Sequence, residues 1–576
     1  MSPERRSGGL IGRDAWLPLC FAGIFALGVL AVAGSWEPAH DEGVSWTQAL
    51  GAVEIPGCRE GPAPIGELVA ALEGDPDHGF GGVVEALWSD GMHPPAYYYL
   101  LRSWGRTFGI DRMVLVVPAI LLGFLGLLAI GRVCERLAKG PGSSSLGMAL
   151  LATSPWFVSY SVFARPYSMA IVVAIAATWA VADLGLRVPG SRRRRISCAV
   201  FVALSILGLY TIYHYVFVLA WHGVALTIRA FRSSESRARE WRSLALMALA
   251  IGIGFAPWLP FLFQHLDGAA TPGYYFAGAT PIADWPLQWM HLLEVFLLGP
   301  ALWSSWGGGL VAAIVLAGAV TLPFAVLAFR SAALQNLDSM ARSLWFAAPV
   351  VPVAIFTSDL LRETHTLFIS KTAFALFPLL LLLLVRAVLY FRTRWRAAWV
   401  LAVWPVIFAI ATIGFVRDSA RFATGYEVIV DVLAKESASP HLVLFSSTRR
   451  GYTVPFLLEA RESGLDTLSV AYAEREDLEA CLEKAMGSDR LQQITLLDFG
   501  VPYRKQDFWG ELPREILAAR TREKPWEAVF LDPNEPALAA SSDARQSWLT
   551  ALANARSPEK RLLLIIRPAK VKYFSE

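Results

Sequence analysis

The sequence predicts a polytopic α-helical membrane protein that ends in a water-soluble α/β domain. Of its 576 residues, 55% are hydrophobic and only 17% are charged, and the mean hydropathy is +0.45. These values are typical of a chain that spends most of its length in lipid. A second observation is a series of uncharged apolar runs of membrane length. A third is a change in composition near residue 421.

The apolar runs define the spans, because a helix needs about 20 apolar residues to cross the hydrocarbon core of a bilayer. The run at 196–228 is too long for one span and has Tyr and His residues in its middle, which favours two short spans in a tight hairpin. The run at 15–36 is long for a signal peptide and is interpreted as an anchor. Eleven spans result from runs at 15–36, 113–131, 140–164, 166–182, 196–228, 243–264, 308–329, 343–358, 372–390 and 397–416.

The basic residues between the spans predict the orientation of the chain. Placing residues 1–14 in the cytoplasm puts every basic cluster on that side, as the positive-inside rule requires. An odd number of spans then puts the C-terminal region on the outer side, together with residues 37–112 and the loop at 359–371. The cytoplasmic clusters are Arg132/Arg136/Lys139, Arg187 with Arg192 to Arg195, Arg229 to Arg242, Arg330/Arg342 and Arg386 to Arg396.

Residues 37–112 form an outer loop with twelve acidic residues and four arginines. Membrane anchoring does not require such an acidic loop, so it is the first place to look for function. Asp41 and Glu42 follow the first span by only a few residues. The sequence after His-Pro-Pro predicts an amphipathic helix lying on the membrane surface. Its apolar face carries Tyr97, Leu101, Trp104 and Phe108, and another face carries Arg102 and Arg106.

From residue 421 to residue 576 charged residues become frequent and the apolar runs become short. Helical stretches at 455–463 and 477–486 alternate with runs that read as buried strands, which favours an α/β domain with a largely parallel sheet. The region contains neither GxGxxG nor GxxxxGK[ST], so no nucleotide role follows. The predicted strands are HLVLFSS, TLSVAYA, QQITLLDFG, EAVFLDP and RLLLIIRP.

The acidic pair Asp41 and Glu42 is the leading catalytic candidate, since a carboxylate can take a proton from an attacking hydroxyl or amine. The alternative is that both are solvated carboxylates among the twelve acidic residues of the loop. Carboxylates also bind hard divalent cations, so a metal site at this pair is left open. Five cysteines without CxxC or Cys/His spacing argue against a zinc site, and a pairing of Cys58 with Cys481 is left open.

Histidines and cations at the outer ends of spans are candidates for substrate binding, because cations hold a phosphate and stabilise its charge as it leaves. Each also has a structural interpretation. His93 can be a helix-entry residue before two prolines, and the others can anchor the chain at the membrane surface or pack in an aromatic belt. Together they favour group transfer from a phosphorylated lipid. The candidates are His93, Arg112, Arg165, Tyr167, His214 and Lys371.

The order of these motifs resembles the bacterial relatives of the dolichyl-phosphate-mannose protein mannosyltransferases, which share the C-type glycosyltransferase architecture with the lipid A aminoarabinose transferase. The resemblance covers roughly residues 10–420. It rests on the DE pair after the first span, HPPAYYYLL before the second, ARPY after the third and the Tyr/His hairpin. It implies that Asp41 serves catalysis and that the sugar comes from a polyprenyl phosphate at the outer face of a bacterial inner membrane. Where many relatives have an Arg-Tyr pair, this chain has Ser370-Lys371, which lacks the bidentate fork of arginine.

The resulting hypothesis is an inverting glycosyltransferase with a transmembrane domain at 15–420 and an external α/β domain at 421–576. Asp41, helped by Glu42, acts as general base on an acceptor that the sequence does not identify. The phosphate leaves against Arg165, Lys371 or Arg112. No nucleic acid is expected as a partner. The alternatives are a transporter or flippase for lipid-linked sugars, and a scaffold whose external domain binds a cell-wall partner.

Overall fold

The structure is a computed structural model of the chain. For Asp41 it describes the backbone alone. The described residues are 16–33, 40–51, 56–74, 79–90, 93–139, 142–187, 190–233, 237–269, 292, 296, 339–362, 374, 377–395, 400–419, 430, 433–434, 441–445, 450–473, 477–486, 493–497, 526–531 and 561–566.

The described chain is mainly helical, and the helices follow the apolar runs closely. In chain order they are α1 (Trp16–Ala33), α2 (His40–Leu50), α3 (Ile65–Gly74), α4 (Phe80–Asp90), α5 (Ala96–Phe108), α6 (Arg112–Leu137), α7 (Ser143–Thr153), α8 (Pro155–Ser161), α9 (Tyr167–Leu184), α10 (Arg192–Leu209), α11 (Tyr215–Arg232), α12 (Arg237–Phe255), α13 (Leu259–Ala269), α14 (Ser339–Ala347), α15 (Val350–Arg362), α16 (Phe377–Trp395), α17 (Val400–Ser419), α18 (Arg450–Glu462) and α19 (Leu478–Met486).

Most described residues of the predicted spans are helical, and the predicted span at 308–329 lies outside the described residues. Four helical segments of the described chain are long and apolar enough to cross a membrane. The polytopic α-helical fold class is therefore confirmed. The four segments are Arg112–Leu137, Tyr167–Leu184, Arg237–Gln264 and Ser339–Leu361.

The run at 140–164 was predicted as one span, and in the structure it is two helices, α7 and α8. The break lies at Ser154, whose backbone is extended, and Pro155 begins the next helix. Proline disfavours helical backbone in the residue before it and lacks the amide proton that would continue the helix. The Ser154 hydroxyl accepts a hydrogen bond from the Phe157 amide at 3.3 Å and caps α8.

The hairpin predicted at 196–228 is formed by α10 and α11, but its helices are not short. Each has 18 residues, which corresponds to about 27 Å of helix, close to the thickness of the hydrocarbon core. Gly208 permits the close approach of the two helices at the turn. A Cβ atom at this position would lie 2.5 Å from ring atoms of Tyr215, so a side chain here would force the helices apart.

The five predicted strands are present and run parallel: β2 (His441–Phe445), β3 (Ser469–Tyr472), β4 (Gln493–Leu497), β5 (Trp526–Leu531) and β6 (Arg561–Ile566). The sheet has one further described strand, β1 (Ala63–Pro64), which comes from the outer loop and pairs antiparallel with β3. The order across the sheet is β1-β3-β2-β4-β6-β5. A strand of two residues that includes proline carries no alternating pattern, and for that reason the sequence did not reveal it.

The chain divides into two compact units that differ from the predicted domains. The first contains Met1–Gly34, Leu87–Tyr97 and Val117–Asp418. The second contains Ser35–Ala86, Tyr98–Val116 and Ser419–Glu576. Much of the outer loop thus belongs with the C-terminal region, whereas the sequence had assigned all of it to the transmembrane domain. The physical reason is the set of contacts that the loop makes with β3, α18 and α19, described below.

His441 makes the stability of the second unit depend on pH. It is buried at the start of β2, where its Nε2 atom lies 2.7 Å from the Thr495 hydroxyl of β4, and burial lowers the pKa of its imidazole from 6.5 to about 3. Between these two pH values the unfolded chain takes up a proton that the folded chain does not. The contribution of the neutral His441 imidazole to the free energy of unfolding is therefore complete above pH 6.5. It is lost progressively as the pH falls towards 3.

We expect the His441 contribution to the free energy of unfolding to fall by about 2 kcal/mol between pH 6.5 and pH 5. The measurement is thermal or chemical unfolding of the purified full chain at several pH values. His441→Leu removes the ionisable group, so the difference in pH dependence between wild type and this variant isolates the effect of the imidazole. Equal pH dependence in the two proteins would contradict the prediction.

Candidate active site

The acidic pair lies at the beginning of α2, in the second unit. Asp41 and Glu42 are the second and third residues of this helix. The first turn of a helix carries partial positive charge, which favours ionised carboxylates. The side chain of Glu42 is fully buried. Because a general base must touch the acceptor, the burial of Glu42 argues against that role for Glu42.

The other end of α2 is held by Arg102 of α5. Its guanidinium donates to the carbonyl oxygens of Ala49 at 3.3 Å and Leu50 at 2.8 Å. These carbonyls lack partners within the helix and carry its partial negative charge, so a cation there is favourable. The side chain of Arg102 is buried. The sequence had placed it on the polar face of a surface helix, but in the structure it anchors the helix that carries the acidic pair.

Helix α2 packs against α18 of the C-terminal region, and both helices belong to the second unit. Trp46 on α2 is fully buried, as are Phe456 and Leu457 on α18. Burial of large apolar side chains is the main source of stability for such a contact, at about 1.5 to 3 kcal/mol for each fully buried side chain. The position of the acidic pair is thus set by apolar packing at the middle of α2 and by hydrogen bonds at its end.

In the first unit the structure brings together His93 and Arg165. The Nη2 atom of Arg165 lies 3.0 Å from Nε2 of His93. A guanidinium can only donate hydrogen bonds, so Nε2 must be the acceptor, and the imidazole is therefore the neutral tautomer with its proton on Nδ1. Arg165 is only 4% exposed. A cation buried to this degree in a membrane protein is costly and is typical of a functional site.

Tyr167 is also part of this cluster. The Arg165 guanidinium carbon lies 5.8 Å from the centre of the Tyr167 ring, within the range of a cation–π contact. The ring of Tyr167 packs against Tyr160 at 5.1 Å and stacks on Phe163 at 6.3 Å between ring centres. The guanidinium therefore contacts His93 through Nη2 and lies near the ring of Tyr167, and both neighbours limit its movement.

The hairpin formed by α10 and α11 contacts the segment that follows His93. The Ala96 amide, at the start of α5, donates to the Tyr210 carbonyl at 2.8 Å. His214, four residues further along, lies directly before α11, and its ring is 6.1 Å from that of Phe217. The hairpin thus supports the His93 segment through its backbone, and the described contacts of the His214 ring fit the aromatic-belt interpretation.

Arg112 begins α6 and lies in the second unit, where it faces two glutamates of α18. Its guanidinium is 3.7 Å from a carboxylate oxygen of Glu459, and its backbone amide donates to Glu462 at 3.1 Å. Both side chains of the ion pair are largely shielded from solvent. The sequence had proposed Arg112 as a ligand for the donor phosphate, but in the structure its charge already has a carboxylate partner.

Two further expectations concern Lys371 and a metal site. Lys371 lies outside the described residues. In the described part of the chain no group of three or more His, Cys, Asp and Glu side chains has the arrangement that would hold a metal ion. The residues that sequence reasoning missed are Arg102, Glu459 and Glu462. No local pattern marks them, because each acts on a partner more than 50 residues away.

No protein-family profile matches the sequence, and no curated protein matches it. Solved structures do show similarity, at low sequence identity. ArnT from Cupriavidus metallidurans bound to undecaprenyl phosphate is 13% identical, with a TM-score of 0.46 over 80% of this chain and 90% of that chain. The same protein in the apo state is 14% identical, with a TM-score of 0.42 over 77% and 84%.

An oligosaccharyltransferase from Archaeoglobus fulgidus, in complex with Zn and sulfate, is 12% identical, with a TM-score of 0.45. The match covers 77% of this chain but only 61% of the oligosaccharyltransferase. These matches cover 77–80% of this chain, at 12–14% sequence identity.

Proposed function

We propose that the protein is a membrane glycosyltransferase that moves a sugar from a polyprenyl phosphate to an acceptor at the outer face of the inner membrane. The observation that carries this proposal is the buried guanidinium of Arg165, oriented by His93 and Tyr167. Arginine with a fixed orientation is suited to binding phosphate, because its planar fork matches the spacing of two phosphate oxygens. The sequence resemblance supports the same donor class.

In the proposed reaction Asp41 is the general base. The acceptor hydroxyl or amine attacks the anomeric carbon, its proton passes to the Asp41 carboxylate, and the bond between that carbon and the phosphate oxygen breaks. The polyprenyl phosphate leaves with the bonding electrons, and Arg165 stabilises its negative charge. A single displacement of this kind inverts the configuration at the anomeric carbon.

His93 acts in this proposal as the residue that orients Arg165. Its neutral imidazole accepts one guanidinium N–H and so fixes the direction in which Arg165 presents its charge to the phosphate. Lys371, at the predicted outer mouth of a span, serves as a second cation of the phosphate site. The ion pair of Arg112 with Glu459 argues against a direct contact of Arg112 with the donor.

The predicted topology places the N-terminus in the cytoplasm and the C-terminal region outside, and one structural observation supports this placement. Cys58 and Cys481 form a disulfide, with 5.9 Å between their Cα atoms. Structural disulfides persist in oxidising compartments such as the periplasm and are rare in the cytosol. Both cysteines therefore fit the outer side, where the sequence had placed them.

The experiment that tests the proposed function is transfer of radiolabelled sugar from a panel of polyprenyl-phosphate sugars by the purified full chain in proteoliposomes, with membrane extract as the acceptor source. We expect a glycosylated product from at least one donor, and a parallel reaction with a chelator determines whether a divalent cation is required. Movement of the lipid-linked sugar across the bilayer without product would overturn the proposal in favour of a transporter. Absence of both across a broad panel would overturn it as well.

A further inference from the structure

The outer loop and the C-terminal region are joined through the edge of the sheet. Strand β1 pairs with β3, with Ala63 opposite Val470 and Pro64 opposite Ser469. Just before β1 the loop makes two backbone hydrogen bonds with Tyr472. The Tyr472 amide donates to the Pro56 carbonyl at 3.0 Å, and the Cys58 amide donates to the Tyr472 carbonyl at 2.8 Å. The loop therefore covers the edge strand that the parallel sheet would otherwise expose.

Covalent and ionic contacts reinforce this junction. The disulfide between Cys58 and Cys481 links the loop to α19 across 423 residues of sequence. Beside it Arg59 forms an ion pair with Asp477, and Lys484 donates to the Arg59 carbonyl at 3.4 Å. A cross-link that closes so long a loop removes many conformations in which the two segments are apart. The C-terminal region is thus attached to the loop rather than tethered by its own preceding span alone.

The same region also reaches the two ends of the loop. Near the start of the loop, α18 packs along α2, the helix that carries the acidic pair in its first turn. Near the end of the loop, α18 presents Glu459 to the guanidinium of Arg112 and Glu462 to the Arg112 amide. One helix of the C-terminal region therefore contacts both the segment that leaves the first span and the segment that enters the second.

We propose that the C-terminal region is a positioning unit for the acidic pair, and that Arg112 and Glu459 are positioning residues that hold α18 in the register that α2 requires. The inference rests on the proposed function for the catalytic role of Asp41. Under this proposal residues 421–576 serve to position the acidic pair. Arg112 forms an ion pair within the protein and does not bind the donor phosphate. The distance between a general base and its substrate must be held within a few tenths of an ångström, so even a small shift of α2 is costly.

The decisive experiment exchanges the charges of the pair in the full chain. Arg112→Glu and Glu459→Arg each place two like charges about 4 Å apart in a shielded position, so each is expected to lower kcat by about 10- to 100-fold. The double variant Arg112→Glu with Glu459→Arg restores opposite charges, and we expect kcat to return to within about fivefold of wild type. The KM for the donor should change little, because neither residue contacts it.

A matched control is the exchange of Arg132 with Glu135 on α6, an ion pair of 3.5 Å with side chains 77% and 63% exposed. An exposed pair of this kind contributes little, so neither its single variants nor its double variant should change the rate. If Arg112 bound the donor phosphate instead, the double variant would stay as inactive as Arg112→Glu and the donor KM would rise. Either of these results would overturn the proposal.

Hydrogen exchange separates this inference from the proposed function. Backbone amides of residues 40–50 should exchange faster in both single variants and return to the wild-type rate in the double variant, whether or not a substrate has been found. Unchanged exchange in the single variants would overturn the positioning role. If a single variant does not accumulate, Arg112→Lys and Glu459→Gln test the same pair, with Arg112→Lys expected to preserve slow exchange and Glu459→Gln to lose it.

Discussion

Asp41→Asn is expected to lower kcat by about 10²- to 10⁴-fold, the range that removal of a general base produces in other enzymes. Asparagine has the same size as aspartate and leaves α2 intact, but it cannot take the proton of the attacking acceptor. The KM for the donor should stay close to its wild-type value, because the carboxylate acts only as the acceptor attacks. The measurement is the initial rate of sugar transfer at matched amounts of purified protein.

A matched control for Asp41→Asn is Glu85→Gln. Glu85 is an exposed residue of α4 in the same acidic loop, and its replacement removes the same charge. We expect Glu85→Gln to transfer sugar at the wild-type rate. If Asp41→Asn and Glu85→Gln were equally active, Asp41 would not be the base. If both lost activity to the same extent, the effect would come from the acidity of the loop rather than from one carboxylate.

Arg165→Lys is the second change with a large expected effect, about 10²- to 10³-fold on kcat/KM. Lysine keeps the positive charge, but it has no planar fork, so it loses the bidentate contact with phosphate and the fixed geometry that His93 provides. We expect the KM for the donor to rise and kcat to fall, because a phosphate is bound both before and during its departure. Initial rates over a range of donor concentrations separate the two effects.

The control for this change is Arg187→Lys in the same unit. The guanidinium of Arg187 makes a bidentate contact with Asp183, at 3.0 and 2.8 Å. Since its partner belongs to the protein, Arg187→Lys should affect stability more than donor KM. His93→Gln adds a second comparison, because an amide oxygen can still accept from Arg165 and should retain more activity than His93→Ala. An Arg165→Lys protein with a wild-type donor KM would contradict phosphate binding at this residue.

The helices of the membrane region and the strands of the C-terminal region were predictable because both leave local patterns. An uncharged run of about 20 residues has no other stable arrangement than a helix in a bilayer, and short apolar runs between polar helices are typical of a parallel sheet. Where the prediction was less accurate, local chemistry explains the difference. The break at Ser154 follows from Pro155, although an apolar run was the only feature used to define that span.

For the candidate residues, the sequence predicted the chemistry that each side chain can perform but not the partner that each one contacts. Local sequence identified Asp41, His93 and Arg165 as groups able to move protons or bind phosphate, and it treated Arg112 as equivalent to Arg165. The structure distinguishes the two arginines by their partners. Arg165 faces a neutral histidine and an aromatic ring, whereas Arg112 faces a carboxylate. The histidine, His93, and the carboxylate, Glu459, both lie far from their arginine in the sequence.

By itself the sequence determined the membrane class and the positions of most helices and strands, because hydrophobic transfer and hydrogen bonding within a segment act over a few neighbouring residues. Only the tertiary structure decided that the outer loop joins the C-terminal sheet, that Cys58 pairs with Cys481 and that α18 packs on the helix of the acidic pair. These contacts join segments that are hundreds of residues apart. Their free energy depends on which surfaces meet, and no local pattern in the sequence records that.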